Sequence, residues 1–164
     1  MNALQHGTDY DGEDVAGWFF SEKLNGCRAY WDGATLWSKS GRRIPAPTEF
    51  LRFLPDGIAL DGELYAGVYG FQLTSLATRL GHFSPEVEFV AFDAPIATGD
   101  WPERMETARR TGVLTVTVGC VSDINEARCE MARVHERGGE GLMLRRPRQP
   151  YLPWRSNNLL KLNI

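Results

Sequence analysis

Between Cys27 and Ser38 the chain reads CRAYWDGATLWS, an Asp-Gly pair set between two apolar, aromatic runs. Asp-Gly between such flanks is among the strongest short-range signals for a β-hairpin, because glycine accepts the backbone that a tight turn demands. The chain must fold back antiparallel on itself here. Residues 18–24 read as a further strand, and GIALDGELYAG (57–67), VEFVAFDAP (87–95), GLMLRR (141–146) and LLKLNI (159–164) return to strand character. VLTVTV (113–118) is the clearest β-propensity run in the chain. Helices are expected at APTEFLRFLP with Thr48 as cap, at FQLTSLATRL, and at PERMETARRTG between Pro102 and Gly112. Another is expected after Ser122, where Ile124, Ala127, Met131 and Val134 share one apolar face. Strands and helices interleave without a regular βαβ period, which predicts a mixed α+β fold with a largely antiparallel sheet.

A chain of 164 residues falls in the single-domain range. The acidic, Gly-containing residues 1–17 read as a loose lead-in, which leaves 18–164 as the folded unit. No apolar run approaches the length needed to span a bilayer, and the start lacks the basic-then-apolar order of a signal peptide. A cytoplasmic, monomeric protein with no membrane partner is expected. Cys27, Cys120 and Cys129 are scattered, with neither zinc-site spacing nor a disulfide framework, so reduced thiols are the default.

The net charge of −3 argues against a general polyanion binder, yet charge is divided unevenly. Residues 1–100 carry 7 Lys and Arg against 14 Asp and Glu, and residues 101–164 carry 11 against 7. Arg145, Arg146, Arg148, Arg155 and Lys161 lie near the end, so a local basic face can meet phosphates although the whole is acidic.

One lysine has an unusual setting. In EKLNGCR, Lys23 lies two residues before an Asn-Gly turn, with Arg28 following. A lysine acts as a nucleophile only as a neutral amine, so desolvation, nearby positive charge or removal during the reaction must draw off its proton. Gly26 allows another group to approach closely. Taken alone, the stretch is weak evidence, since most lysines beside a turn are simply solvated.

The ordered set KLNGCR (23–28), SKSG (38–41), DGEL (61–64), FVAFD (89–93), EGLMLR (140–145) and LLKL (159–162) resembles the successive nucleotidyltransferase motifs of ATP-dependent DNA ligases. The resemblance runs from about Trp18 to the last residue and is nearest to the minimal bacterial and phage ligases. It implies an ATP-grasp-like adenylation domain with antiparallel sheets around an ATP cleft. Lys23 would then attack the α-phosphate of ATP, release pyrophosphate and retain AMP through a phosphoramidate bond. AMP would pass to the 5′-phosphate of nicked duplex DNA, and the 3′-hydroxyl would displace it. Such chemistry relies on positioning and charge neutralisation.

The resemblance gives each matching residue a role. Arg28 would meet the AMP phosphate or ribose, Glu63 the ribose, and Phe92 would stack on adenine. Glu140, with Glu63, would serve Mg²⁺ or another divalent cation, for which carboxylate oxygen suits. Lys161 and Arg145 would bind phosphate, and Glu22 sits where backbone groups meet the adenine edge. Lys39, followed by Arg42 and Arg43, would contact phosphate or the nicked DNA. The histidines at 6, 82 and 135 are too dispersed for a metal cluster, and Trp154 near the basic segment is a possible base-stacking platform.

Four positions depart from the family pattern: Asn25 for aspartate, Lys39 for arginine, Arg145 for lysine and Asn163 for lysine. The family also continues into an OB-fold domain, for which the 164 residues leave no room. The expectation is weak nick binding and poor complete ligation unless an OB-fold domain or partner is supplied separately; efficient multiple-turnover sealing by these residues alone would refute it. Two rivals share much of this pattern. RNA ligase or capping-type nucleotidyl transfer uses the same lysine logic, and a non-catalytic nucleotide or nick-binding module would bind without forming an adduct.

Overall fold

The Asp32-Gly33 signal does form a hairpin. In the computed structural model, which describes residues 3–163, β3 (Cys27–Trp31) pairs antiparallel with β4 (Leu36–Ser38). Gly33 and Ala34 form the tip, since the Asp32 N–H meets the Thr35 carbonyl at 3.1 Å. Asp32 closes the turn with its carboxylate, accepting from Ala34 N, Thr35 N and the Trp37 indole at 2.9, 2.7 and 2.8 Å. Gly33 takes φ +99°, and a Cβ there would lie 2.9 Å from the Gly57 Cα.

Around this hairpin grows the first of two five-stranded sheets, ordered β4-β3-β5-β6-β7, where β5 is Leu60–Tyr65, β6 Glu88–Asp93 and β7 Leu114–Thr115. The second is ordered β1-β10-β9-β2-β8, from His6–Asp9, Arg155–Asn163, Gly141–Arg145, Phe19–Glu22 and Gly119–Cys120. β1 with β10 and β6 with β7 are the parallel pairs; the other pairings are antiparallel. The helices are α1 (Thr48–Leu51), α2 (Phe71–Leu80), α3 (Trp101–Arg110) and α4 (Ile124–Glu136).

The two-residue period of a strand explains how the sheets are covered. On β5, Leu60 and Leu64 enter the core with Ala29, Trp31 and Phe89, beneath α2, while Asp61 and Glu63 point the other way. On β9, Leu142 and Leu144 pack with Ala127 and Val134 of α4, and Met143 and Arg145 point away from them. Each sheet thus turns one apolar face to a helix and a more polar face towards the other sheet.

Four local expectations change. The opening segment, read as a loose lead-in, supplies β1, which borders β10, and Leu4 and Val15 are buried. Apolar residues at wide intervals anchor it, a pattern too sparse to register as a strand. VLTVTV contributes only Leu114 and Thr115 to a sheet, because Val116 and Val118 turn into the cluster around Trp101 and Met105. Asp123 rather than Ser122 caps α4, accepting from Glu126 N at 2.9 Å, and Ser122 instead donates to the Glu126 carboxylate. Thr48 makes no side-chain cap; Pro47 holds that position on α1.

Candidate active site

The facing sides of the two sheets enclose a cleft of about 420 Å³. Lys23, Arg28, Glu63, Phe92, Glu140 and Lys161 all line it, and so do Glu22, Lys39 and Arg145. Residues spread over 140 positions of sequence are therefore brought together by the facing strands and the turns at their ends. Arg42 and Arg43 do not line it. They are exposed on the loop after β4, where Arg42 N donates to Ser38 Oγ at 3.2 Å and Arg43 forms a backbone bridge to Trp37.

Lys23 leaves the end of β2 with its N–H bonded to the Gly141 carbonyl at 2.9 Å. Its ammonium is ion-paired with Glu140, which precedes β9, and the side chains are 28% and 36% exposed. Closely packed glycines lie near both residues in the chain. A Cβ on Gly139 would lie 2.8 Å from Glu22 Oε1, and Glu22 in turn accepts from Arg137 Nη2 at 3.1 Å at the cleft rim.

Gly26 is held more tightly still. Its N–H donates to Glu63 Oε1 at 3.2 Å, while a Cβ there would meet the Leu64 carbonyl oxygen at 2.0 Å and Glu63 Cγ at 2.9 Å. Backbone on a central strand cannot yield cheaply. Gly26→Ala is expected to destabilise the fold by about 1–3 kcal/mol, as overpacking does, and to displace Glu63. Thermal unfolding of the variant checks this; an unchanged midpoint would show that β3 and β5 can part freely.

Arg28 of β3 stands opposite Glu63 of β5 and reaches diagonally to Asp61. Arg28 Nε donates to Asp61 Oδ1 at 3.0 Å and Nη2 to Oδ2 at 2.5 Å, a bidentate pair on a carboxylate that is 0% exposed. Burial works against the Arg28 charge, but Asp61 outweighs it and holds the guanidinium above its ordinary range. The same guanidinium lies 5.3 Å from the Phe92 ring centroid, and the Phe92 carbonyl accepts from the Trp101 indole at 2.8 Å.

Burial is also the main influence on Glu63, pushing its carboxyl from 4.5 to about 7 against the opposing pull of Arg28 and the Gly26 N–H. The folded chain thus keeps a proton that the unfolded chain has lost. This group's contribution to stability is full below about pH 4.5 and falls as pH rises to about 7, by up to roughly 3 kcal/mol. Glu63→Gln should remove that slope while keeping an acceptor for Gly26. Urea unfolding of both proteins between about pH 5 and 8, with chelator present, measures the difference; parallel curves would refute it.

Arg145 stands where the family resemblance expects lysine, and its surroundings suit the larger group. It is buried, donates from Nη1 to Ser21 Oγ at 2.9 Å and lies 4.0 Å from the Trp101 ring centroid. Its Nε has no partner among the described residues, and burial pushes it down to about 10. Lys161 projects from β10, with Nζ 3.7 Å from Asp9 Oδ1. Lys39 is exposed at the cleft edge. Trp154 is 55% exposed, outside the cleft.

Sequence reasoning missed His6, Phe71, Met143 and Tyr151. The first three line the cleft, and His6 is lowered by burial and then by Arg28, Lys39 and Arg155, a sign of the positive potential there. Arg155, noted only as part of a basic segment, lines it as well. Among the described residues no group of three or more His, Cys, Asp or Glu side chains could hold a metal. Glu63 and Glu140 nonetheless both face the cleft, and two carboxylates suit a hard cation that takes its other oxygens from water and phosphate. A larger hollow of about 720 Å³, walled by Phe50, Phe53, Phe83 and Phe89, contains none of the lysines or arginines of this cleft.

No protein-family model matches the chain. A DNA ligase of Haemophilus influenzae is 32% identical over 162 residues, covering 93% of this chain and 60% of that protein. The chain therefore spans less than two thirds of the length of this curated relative. A solved structure from a structure–function study of Lig E DNA ligases superposes with a TM-score of 0.85 at 28% identity, covering 100% of this chain and 69% of the other. Chlorella virus DNA ligase-adenylate gives 0.83 at 19% identity, covering 99% and 67%.

Proposed function

We propose that this chain, whose fold is that of the nucleotidyltransferase domain of DNA ligases, is the adenylating domain of an ATP-dependent DNA ligase. The observation that carries this reading is the pairing of Lys23 with Glu140 inside a cleft lined by Arg28, Arg145, Arg155 and Lys161. A nucleophile, a carboxylate within reach of its proton and fixed positive charge for phosphates are the parts that phosphoryl transfer needs.

In the first step the Lys23 amine attacks the α-phosphorus of ATP. A P–N bond forms, the P–O bond to pyrophosphate breaks, and the electron pair leaves with pyrophosphate. Glu140, already accepting from Lys23 Nζ, is placed to receive the amine proton. Arg28 and Lys161 hold phosphate or ribose oxygens, Phe92 offers its ring to adenine, and Glu63 meets the ribose. A bound Mg²⁺ or similar cation, held by Glu140 and Glu63, would neutralise charge developing on the phosphates. AMP then passes from Lys23 to the 5′-phosphate of a nick, and the 3′-hydroxyl displaces it. Lys39, Arg42 and Arg43, together on the exposed turn and loop after β4, are proposed to contact the nicked duplex.

Nick sealing of this kind serves DNA replication and repair, and we place it in the cytoplasm. Among the described residues no helix is long and apolar enough to cross a membrane.

The test is the intact mass of the purified chain before and after ATP with Mg²⁺. A single adenylyl adduct, discharged by pyrophosphate, is the expected result. A chain that gains no adduct, and does not seal a nick already carrying AMP, would be a nucleotide or nick-binding module instead.

A further inference from the structure

The connection between β9 and β10, residues 146–154, is continuous with one sheet but fastened by hydrogen bonds to the other side of the molecule. Arg148 N donates to Asp100 Oδ2 at 2.8 Å, and the Gln149 carbonyl accepts from Arg104 Nη1 at 2.9 Å. These two bonds end at α3 and its cap. A third ends in the cleft wall: the Tyr151 hydroxyl donates to Asp61 Oδ2 at 2.6 Å.

That oxygen also accepts from Arg28 Nη2. The phenol is fixed on its other side, because Gln5 N donates to its oxygen at 2.9 Å, leaving the hydroxyl hydrogen to point at Asp61. Burial and then Asp61 hold the phenol far above its ordinary range, so it stays a donor. Asp61 takes Arg28 through Nε and Nη2, and a guanidinium carries five N–H donors, so the remaining ones stay available to oxygens in the cleft. Without the Tyr151 hydroxyl, Oδ2 would keep one donor and the Gln5 N–H would lose its acceptor.

We infer that Tyr151 is a positioning residue for the nucleotide: by bonding Asp61 it fixes the plane of that carboxylate, and with it the angle at which Arg28 meets the phosphate or ribose. The inference rests on the nucleotide-binding reading above. It also gives the Pro-rich connection a function, since a loop of one sheet sets an arginine on the other.

A double-mutant cycle tests it, with Arg28→Lys chosen because it keeps a positive charge beside the buried Asp61. ATP affinity is read by calorimetry and adduct formation by intact mass. Tyr151→Phe is expected to weaken ATP binding about tenfold, the scale of a lost hydrogen bond to a charged group. The maximal rate of adduct formation at saturating ATP should change much less. In the Arg28→Lys background the same replacement should cost nothing further. Asn158→Ala loosens the connection through Gln149 and Arg146 without touching Asp61, and should leave ATP affinity unchanged. Additive losses, or a Tyr151→Phe protein that binds ATP as tightly as the parent, would overturn the inference. If ATP binds with the expected coupling but no adduct forms and a nick already carrying AMP stays unsealed, the ligase reading falls and the positioning role stands. Failure of the parent chain to bind ATP overturns both.

Discussion

Lys23→Ala should abolish the adenylyl adduct, with a rate loss on the order of 10⁶-fold, the scale seen when a covalent nucleophile is removed. The other lysines of the cleft are poorly placed to substitute. Lys39 is exposed on the turn after β4, and Lys161 lies beside Asp9, whereas Lys23 alone of the three pairs with Glu140. The fold should survive. Lys23 and Glu140 are 28% and 36% exposed, so their pairing contributes about 0–1 kcal/mol, and the thermal midpoint should move by only a few degrees. Intact mass and a melting curve on the same preparation separate the two effects. An adduct that persists in the variant would assign the nucleophile to another lysine; a large loss of stability would make Lys23 a structural residue first.

How much of this was legible in the sequence depended on the distance over which each signal acts. The hairpin at Asp32 and the stop at Gly112 are decided by neighbours, and both formed. Strand alternation went further, since the spacing of Leu60, Glu63 and Leu64 already separates a core face from a cleft face. Motif order identified the residues that would share a site, and nine of them line one cleft. Three kinds of information were not local. β1 has its partner at the far end of the chain, so the first residues looked unstructured. VLTVTV has strong strand propensity, but packing around Trp101 and Met105 takes two of its valines. Tyr151 carries no sequence signal, because its importance comes from Asp61, 90 positions away.

Asp93→Ala is expected to produce the largest loss of stability, about 3–5 kcal/mol, by leaving a buried guanidinium without its counter-charge. Asp93 ends β6 and Arg104 lies within α3, and their side chains are 2% and 3% exposed. Arg104 Nε meets Asp93 Oδ1 at 2.8 Å and Nη2 meets Oδ2 at 3.1 Å, while Nη1 donates to the carbonyls of Gly99 and Gln149. Asp93 Oδ1 also accepts from Ala94 N at 2.8 Å. Arg104 would keep its two carbonyl acceptors but lose its counter-charge, so most of the penalty of burying it is uncompensated. For a chain of this size the thermal midpoint should fall by roughly 6 to 20 °C. Arg104→Met in the Asp93→Ala background removes the orphaned charge and should restore part of the loss, which distinguishes charge burial from a simple cavity. The site would feel the change through Phe92, next to Asp93 and bonded at its carbonyl to Trp101 of the same helix, so adduct formation should fail at a lower temperature than in the parent. A loss below about 1 kcal/mol would place this pair with exposed salt bridges and remove it from the supports of the cleft.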